Sequence, residues 1–127
     1  MLGDKEAVAN IAVKNLEIAK KFYEETLGLT QIGAEDQEVI VFRSGSSTIY
    51  VYKSQYAGTN QATALTWVVG KDIEGVVQEL KAKGVTFERY DDMPDVTRQD
   101  DDIHVAGDRK VAWFKDPDGN ILNIING

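Results

Sequence analysis

The chain repeats one pattern of apolar residues and glycines at a spacing of 56 residues. An alternating segment that ends at Val13 leads into a helical pattern that ends at Gly28. A second alternating segment ends at Val69 and leads into a helical pattern that ends at Gly84. Glycine directly after the last periodic residue is typical of a helix C-terminus. The spacing therefore predicts two copies of a strand–helix–strand–strand–strand unit in one domain that spans residues 1–127.

The two predicted units cover about residues 6–53 and 64–126, with a polar, glycine-containing segment between them. Asn15 and Asp72 are suited to begin the helices, because their side-chain oxygens can accept hydrogen bonds from the first helical turn. Alternation and β-propensity predict strands at about 6–13, 30–33, 38–43, 48–53, 64–69 and 85–90.

Two such units predict an α+β fold of two βαβββ modules that form one curved mixed sheet, with both helices on its convex side. The concave side is then an open cup. Alternation places these residues under the helices: Ile11, Val13, Ile49, Val51, Leu65, Trp67, Val69, Leu122 and Ile124. It places these residues on the cup side: Val8, Asn10, Ala12, Thr48, Tyr50, Tyr52, Ala64, Thr66, Val68, Ile121, Asn123 and Ile125.

A β-hairpin closes the chain, with apolar strands on both sides of Asp116-Pro117-Asp118-Gly119-Asn120. Pro117 presets φ for the second position of a turn, and Asp118 and Gly119 tolerate left-handed backbone geometry. The hairpin, the segment from Ala9 to Leu16 and the glycine-terminated helices occur here in one order and spacing. Together they resemble the vicinal oxygen chelate superfamily, the group of glyoxalases, bleomycin resistance proteins and extradiol dioxygenases.

Enzymes of that superfamily hold a divalent metal at the bottom of the cup with His and Glu side chains. By the resemblance, the ligand positions here are Val8, Tyr50, Ala64 (or Leu65) and Asn123. None of them is a histidine or a carboxylate, and valine and alanine have no atom that binds a metal. We therefore expect no metal and no other cofactor.

The leading hypothesis is a metal-free small-molecule binding protein, similar to the bleomycin resistance proteins, whose ligand is planar or cationic. The ligand-binding residues predicted on the cup side are Asn10, Tyr50, Tyr52, Thr66 and Asn123. The alternative is a metal-dependent lyase, isomerase or dioxygenase of the same superfamily. A fold used only for protein association is a third possibility. No catalytic residue is assigned, and whether the chain is an enzyme stays open at this stage.

The composition restricts the partners. Net charge is −7, from 21 acidic and 14 basic residues, which disfavours nucleic acid and anionic membranes. Cysteine is absent, and no apolar segment is long enough to cross a membrane. We expect a cytoplasmic protein that forms a homodimer, as the resemblance implies, because an open cup leaves strand edges to be covered.

Residues 91–108 are predicted to form a long acidic loop, a type of segment that often covers a binding site. The only histidine, His104, follows the acidic run 100–102 and is expected to be exposed, so that its removal changes little. The alternative for His104 is a metal cluster with these carboxylates or a general base that reaches over the cup. Arg109 and Lys110 are expected to pair with that acidic loop; pairing with an anionic group of a ligand is the alternative. Trp67 is predicted to be core, whereas Trp113 is left between core and a subunit interface.

Overall fold

The computed structural model describes all 127 residues. Its helices are α1 (Leu16–Lys20), which continues without a break as a wider π-helical segment (Lys21–Thr26), and α2 (Ile73–Ala82), which follows a 3₁₀ turn (Gly70–Asp72). Its strands are β1 (Ala9–Val13), β2 (Thr30–Glu35), β3 (Val39–Ser44), β4 (Ser47–Lys53), β5 (Thr63–Val68), β6 (Phe87–Glu88), β7 (Thr97–Gln99), β8 (Ile103–Ala106), β9 (Arg109–Lys115) and β10 (Ile121–Ile125).

The predicted ends of both helices are confirmed. The Asn15 side chain accepts a hydrogen bond from the Ile18 N–H at 3.0 Å, and the Asp72 side chain accepts one from the Gly75 N–H. Gly28 and Gly84 follow the helices with φ values of 80° and 95°, a geometry that favours glycine. No helix is both long enough and apolar enough to cross a membrane.

The strands form two mixed sheets. The first sheet has the order β1-β4-β3-β2, and the second has the order β5-β10-β9-β8-β7, with β6 also paired to β9. In each sheet the first strand of the module pairs in parallel with its last strand, and the neighbouring pairs are antiparallel. The predicted α+β class is therefore confirmed. The first unit has the predicted βαβββ order, whereas the second has an additional hairpin, β7–β8, between β6 and β9.

The number of sheets differs from the prediction, because the strands do not make one continuous sheet. No backbone ladder joins β1 to β5; a cavity lined by Ala9, Ile49 and Leu65 lies between these edges. Side chains bridge the two sheets instead: Asn120 Nδ2 donates to the Ala12 carbonyl at 2.8 Å, and Trp67 Nε1 donates to Ser44 Oγ at 2.9 Å.

One hydrophobic core lies between the helices and the two sheets. All the residues predicted to pack under the helices belong to it or pack against its edge, Trp67 among them. Tyr23 of the first helix, Phe42 of β3 and Phe114 of β9 are its largest fully buried side chains. Because alternate strand residues face opposite sides, the other side of each sheet is the cup face.

The closing hairpin has the predicted turn, and Gly119 in it has a φ of 89°. Asp116 is buried and accepts hydrogen bonds through both carboxylate oxygens. Oδ1 accepts from the N–H groups of Asp118 and Asn120, and Oδ2 accepts from Asn120 Nδ2 and the Tyr23 hydroxyl. Burial and the nearby carboxylates raise the pKa of Tyr23, so its hydroxyl stays a donor. This network, which we call the Asp116 clamp, ties the second sheet to the first module.

The prediction of a long solvated loop at residues 91–108 is wrong in its second half, where β7 and β8 form a hairpin. Asp100 and Asp101 make its turn with φ values of 52° and 65°, which aspartate tolerates better than most residues. Asp102 is buried, with an ion pair of 2.7 Å to Lys81 of α2 and a longer contact to Arg89. The acidic run therefore builds a turn and a buried ion pair.

Lys110 also differs from the prediction. Its Nζ lies 2.6 Å from Glu74 of α2, not against the acidic segment, and Gln99 donates to the same carboxylate oxygen. These hydrogen bonds hold the pKa of Glu74 at about 2. Arg109 has no ion-pair partner.

Candidate functional site

A cavity of about 370 Å³ opens on the cup face of the second sheet. β5, β10, β9 and β8 form its floor, because their outward-facing residues alternate with core residues on the same strands. The segment between β6 and β7 covers one side through Met93 and Val96. The other lining residues are Thr66, His104, Ala106, Arg109, Val111, Trp113, Asn123 and Ile125.

His104 on β8 is 2% exposed and faces this cavity opposite Val111 of β9. Its Nε2 accepts a hydrogen bond from the Tyr90 backbone N–H at 2.9 Å. In the neutral ring the proton is therefore on Nδ1. Nδ1 is buried and makes no hydrogen bond of good geometry in the protein, although the Val111 backbone is close enough to affect the pKa of the ring.

Burial lowers the pKa of His104 below its ordinary value, and Arg98 on β7 acts in the same direction. Hydrogen bonding with the Val111 and Tyr90 backbones and the negative charge of Asp91 oppose this shift of the pKa, but they do not reverse it. The neutral form of the ring is therefore favoured at pH 7, and it carries its one N–H on the buried Nδ1.

Asn123 on β10 is 8% exposed and lies opposite Thr66 on one side and Trp113 on the other. Its Oδ1 is buried without a hydrogen-bond partner. A buried polar atom without a partner costs free energy, so each such atom in a folded protein needs a reason. His104 Nδ1 and Asn123 Oδ1 are the two such side-chain atoms, and both of their residues line one cavity.

Trp113 lies between these two polar groups on β9. Its ring is 5.0 Å from His104 and 5.3 Å from Tyr90, both edge to face, and its Nε1 donates to Thr63 Oγ1 at 3.1 Å. Trp113 and Met93 also line a neighbouring cavity of about 470 Å³, with Glu88 and Lys115 on its far side. The indole therefore offers an apolar ring, held in one orientation, to a ligand in the cup.

The predicted ligand-binding residues fall on both sheets. Thr66 and Asn123 line the cavity of the second sheet together. Asn10 and Tyr50 are cross-strand neighbours in the first sheet, and Tyr52 lies two residues further along β4. These three do not line the cavity of the second sheet.

His104, Trp113 and Arg109 line this cavity but are not among the ligand-binding residues predicted from the sequence. The expectation of an exposed His104 is wrong, because residues 103–106 form β8, which is paired with β7 and β9 and buries the imidazole. The available signal was the alternation Ile103-His104-Val105-Ala106 before Gly107, which is typical of a short strand that leads into a turn.

The residues of the cup do not fit a divalent metal ion. The metal-ligand positions that the resemblance implies are Val8, Tyr50, Ala64 (or Leu65) and Asn123, which together offer one phenol and one amide. No three His, Asp or Glu side chains come close enough together to hold a metal. His104 is the one histidine of the cavity and lies two strands away from the Asn123 amide, so the two side chains do not form a ligand pair for zinc, iron or nickel.

We expect the protein to lose stability as the pH falls below 6.5. His104 has a lowered pKa in the folded state, so below 6.5 the unfolded chain binds a proton that the folded protein does not bind. The contribution of neutral His104 to the free energy of unfolding is therefore complete above pH 6.5. It is lost as the pH falls from there towards the pKa of His104 in the folded protein. The melting temperature, measured by thermal unfolding at several pH values between 7.5 and 5, reports this loss of stability.

The matched control for this pH experiment is His104→Phe, which removes the only histidine of the chain and keeps a ring. Its melting temperature should change less with pH over this interval. Equal pH dependence in both proteins would show that His104 does not titrate differently on unfolding.

Comparison with known proteins supports the architecture. The family model of the Glyoxalase/Bleomycin resistance protein/Dioxygenase superfamily matches residues 7–124. No curated protein matches the sequence significantly.

Among solved structures, an integron cassette protein from the mobile metagenome of the Halifax Harbour sewage outfall is 20% identical, with a TM-score of 0.70 over 96% of this chain and 97% of that one. Lactoylglutathione lyase from Agrobacterium tumefaciens is 14% identical, with a TM-score of 0.71 over 96% and 92%. The fosfomycin resistance protein FosX from Listeria monocytogenes is 13% identical, with a TM-score of 0.73 over 98% and 93%. At these identities the likeness shows the fold alone. By the match over residues 7–124, this chain belongs to the glyoxalase/bleomycin resistance protein/dioxygenase superfamily.

Proposed function

We propose that this protein binds an organic small molecule in the cup, without a metal ion and without turning the molecule over. The observation that carries the proposal is the pair of unpartnered polar atoms, His104 Nδ1 and Asn123 Oδ1, in residues that line one cavity. Both atoms are closed to solvent, so a ligand reaches them only when the side chains that cover them move. Hydrogen bonds to both then remove their desolvation cost, and the ligand gains free energy from that removal. The cavity volume of about 370 Å³ lies in the usual range of small-molecule sites.

The side chains available in the cup favour metal-free binding over the activity of a metal-dependent lyase, isomerase or dioxygenase. In those reactions the metal polarises or orients vicinal oxygens of the substrate. The cup offers no His and carboxylate set that would hold such an ion. Its wall of Trp113, Val111 and Ile125 suits recognition of a flat apolar body.

Tyr50 does not line the cavity of the second sheet, so its proposed contact with the ligand requires a ligand that extends to the cup face of the first sheet. We expect Tyr50→Ala to lose roughly 1–2 kcal/mol of ligand affinity through lost stacking and burial. The fold should survive, because Tyr50 is half-buried on the cup face and the core lies on the other side of β4. A thermal-shift screen of planar organic compounds finds the ligand, and calorimetric titration measures its affinity.

The matched control is Tyr56→Ala, which removes an exposed tyrosine between the two modules. It should leave the affinity unchanged. The same screen with zinc, nickel or iron added, and metal analysis of the purified protein, test the metal-free part. Stoichiometric metal in the cup, or a screen without any specific ligand, would contradict the proposal.

The proposal includes a homodimer that covers part of the cup rim. Val68 on the edge strand β5 is 67% exposed, and Val8 beside β1 is also exposed. Exposed strand edges with apolar side chains are usually covered by association. Light scattering at micromolar concentration should give about twice the mass of 14.1 kDa. A mass near that of one chain would contradict the dimer.

A further inference from the structure

Three polar groups on the cup face of the second sheet restrict the chemistry of the ligand, whereas the volume of the cavity restricts only its size. They are the His104 N–H donor, the Asn123 Oδ1 acceptor and the Arg109 guanidinium, which belong to three residues that line the cavity. The first two atoms are closed to solvent without a ligand, so a ligand reaches them only when the side chains that cover them move. The inference below rests on the proposed function, because it concerns the same cavity.

Arg109 and His104 lie at the same end of the cavity. Arg109 pairs with Ala106 and His104 pairs with Val111, so the two side chains are diagonal neighbours on one face of β8 and β9. Lys110 is bound to Glu74, whereas Arg109 has no ion pair. An anionic group at this end can accept a hydrogen bond from His104 Nδ1 and face a cation at the same time.

Asn123 lies at the opposite end, on β10. Two strand spacings separate β8 from β10, which is about 10 Å across the sheet. Trp113 and Val111 of β9 form the floor between them. A flat molecule that reaches from His104 to Asn123 is therefore about two fused rings long, and it needs a donor at the Asn123 end.

The other charged residues around the cup also favour a ligand whose anionic group lies at the Arg109 end of the cavity. Glu88 is in the neighbouring cavity beyond Trp113, where it pairs with Lys115, and Asp92 lines the same cavity. Asp91 pairs with Arg98 at 2.8 Å. A carboxylate placed in the neighbouring cavity would meet Asp92, whereas one placed against Arg109 meets a cation without a partner.

We propose that the ligand is a planar aromatic carboxylate of about two fused rings, with a hydroxyl or N–H donor at the end opposite to the carboxylate. The carboxylate lies against Arg109 and His104 Nδ1, the ring lies over Val111 and Trp113, and the donor binds Asn123 Oδ1.

Three matched probes test the inference by calorimetric titration: 6-hydroxy-2-naphthoate, 2-naphthoate without the donor, and 2-naphthol without the carboxylate. We expect 6-hydroxy-2-naphthoate to bind about tenfold more tightly than either of the others. Arg109→Gln should remove its advantage over 2-naphthol and keep its advantage over 2-naphthoate. Asn123→Leu should do the reverse.

The charge-matched control is Lys20→Gln, on the exposed side of α1 away from the cup, and it should leave all three affinities unchanged. Equal affinities for 2-naphthol and 6-hydroxy-2-naphthoate would overturn the carboxylate assignment but leave the cup as a binding site. Failure of all three probes, while other compounds bind in the wider screen, would overturn this inference alone. Failure of the probes and of the screen would overturn the proposed function as well.

Discussion

Asp116→Ala should lower the free energy of unfolding by about 3–5 kcal/mol, because it leaves several buried donors without an acceptor. The substitution removes the acceptor for the Tyr23 hydroxyl and for Asn120 Nδ2, both at 2.8 Å or less, and for two backbone N–H groups of the turn. Tyr23 and Asn120 are both buried, so water does not readily replace the carboxylate. Urea unfolding, with the midpoint and slope compared, measures the loss.

Tyr23→Phe is the matched control for the Asp116 clamp. It removes one donor, keeps the buried ring, and leaves Asp116 with its bonds to Asn120 and to the turn. Its cost should be about 1 kcal/mol. A loss of less than 1 kcal/mol for Asp116→Ala would mean that the network adds little to stability. The turn motif would then be explained by its backbone geometry alone.

Asn123→Leu should have two opposite effects, a gain of stability and a loss of ligand affinity. Its Oδ1 is buried without a partner, so a leucine of similar size removes the desolvation cost, and we expect a gain of about 1 kcal/mol in the free energy of unfolding. The same change removes the acceptor for the ligand donor, and affinity should fall about tenfold. Unfolding and calorimetric titration of one preparation measure both.

Asn126→Leu is the matched control, because Asn126 is also an asparagine but both its Oδ1 and its Nδ2 make hydrogen bonds within the protein. Its Oδ1 accepts from the Lys110 N–H, and its Nδ2 donates to the Asp108 carbonyl. This substitution should destabilise the protein and leave affinity unchanged. If Asn123→Leu destabilised the protein to the same degree, the Asn123 amide would have a structural role and the site would lose one of its polar groups.

Much of the fold could be predicted from the sequence because its determinants are local. Asn15 and Asp72 begin the helices with their own side chains, and Gly28 and Gly84 end them with positive φ. Alternation on the strands sorted core residues from outward-facing ones, since neighbouring strand residues face opposite sides whatever the rest of the chain does.

The ligand site depended on tertiary contacts that no local pattern contains. The acidic run before His104 indicated a solvated loop, but Lys81 and Arg89, distant in sequence, compensate Asp102 and allow β8 to join the second sheet. Alternation placed Asn123 on the cup face but could not show that its Oδ1 lacks a partner. The division into two sheets was likewise decided by packing at the edges of β1 and β5. Local backbone preferences therefore determined the modules, and long-range pairing of charges and strand edges decided where the cavity and its polar groups lie.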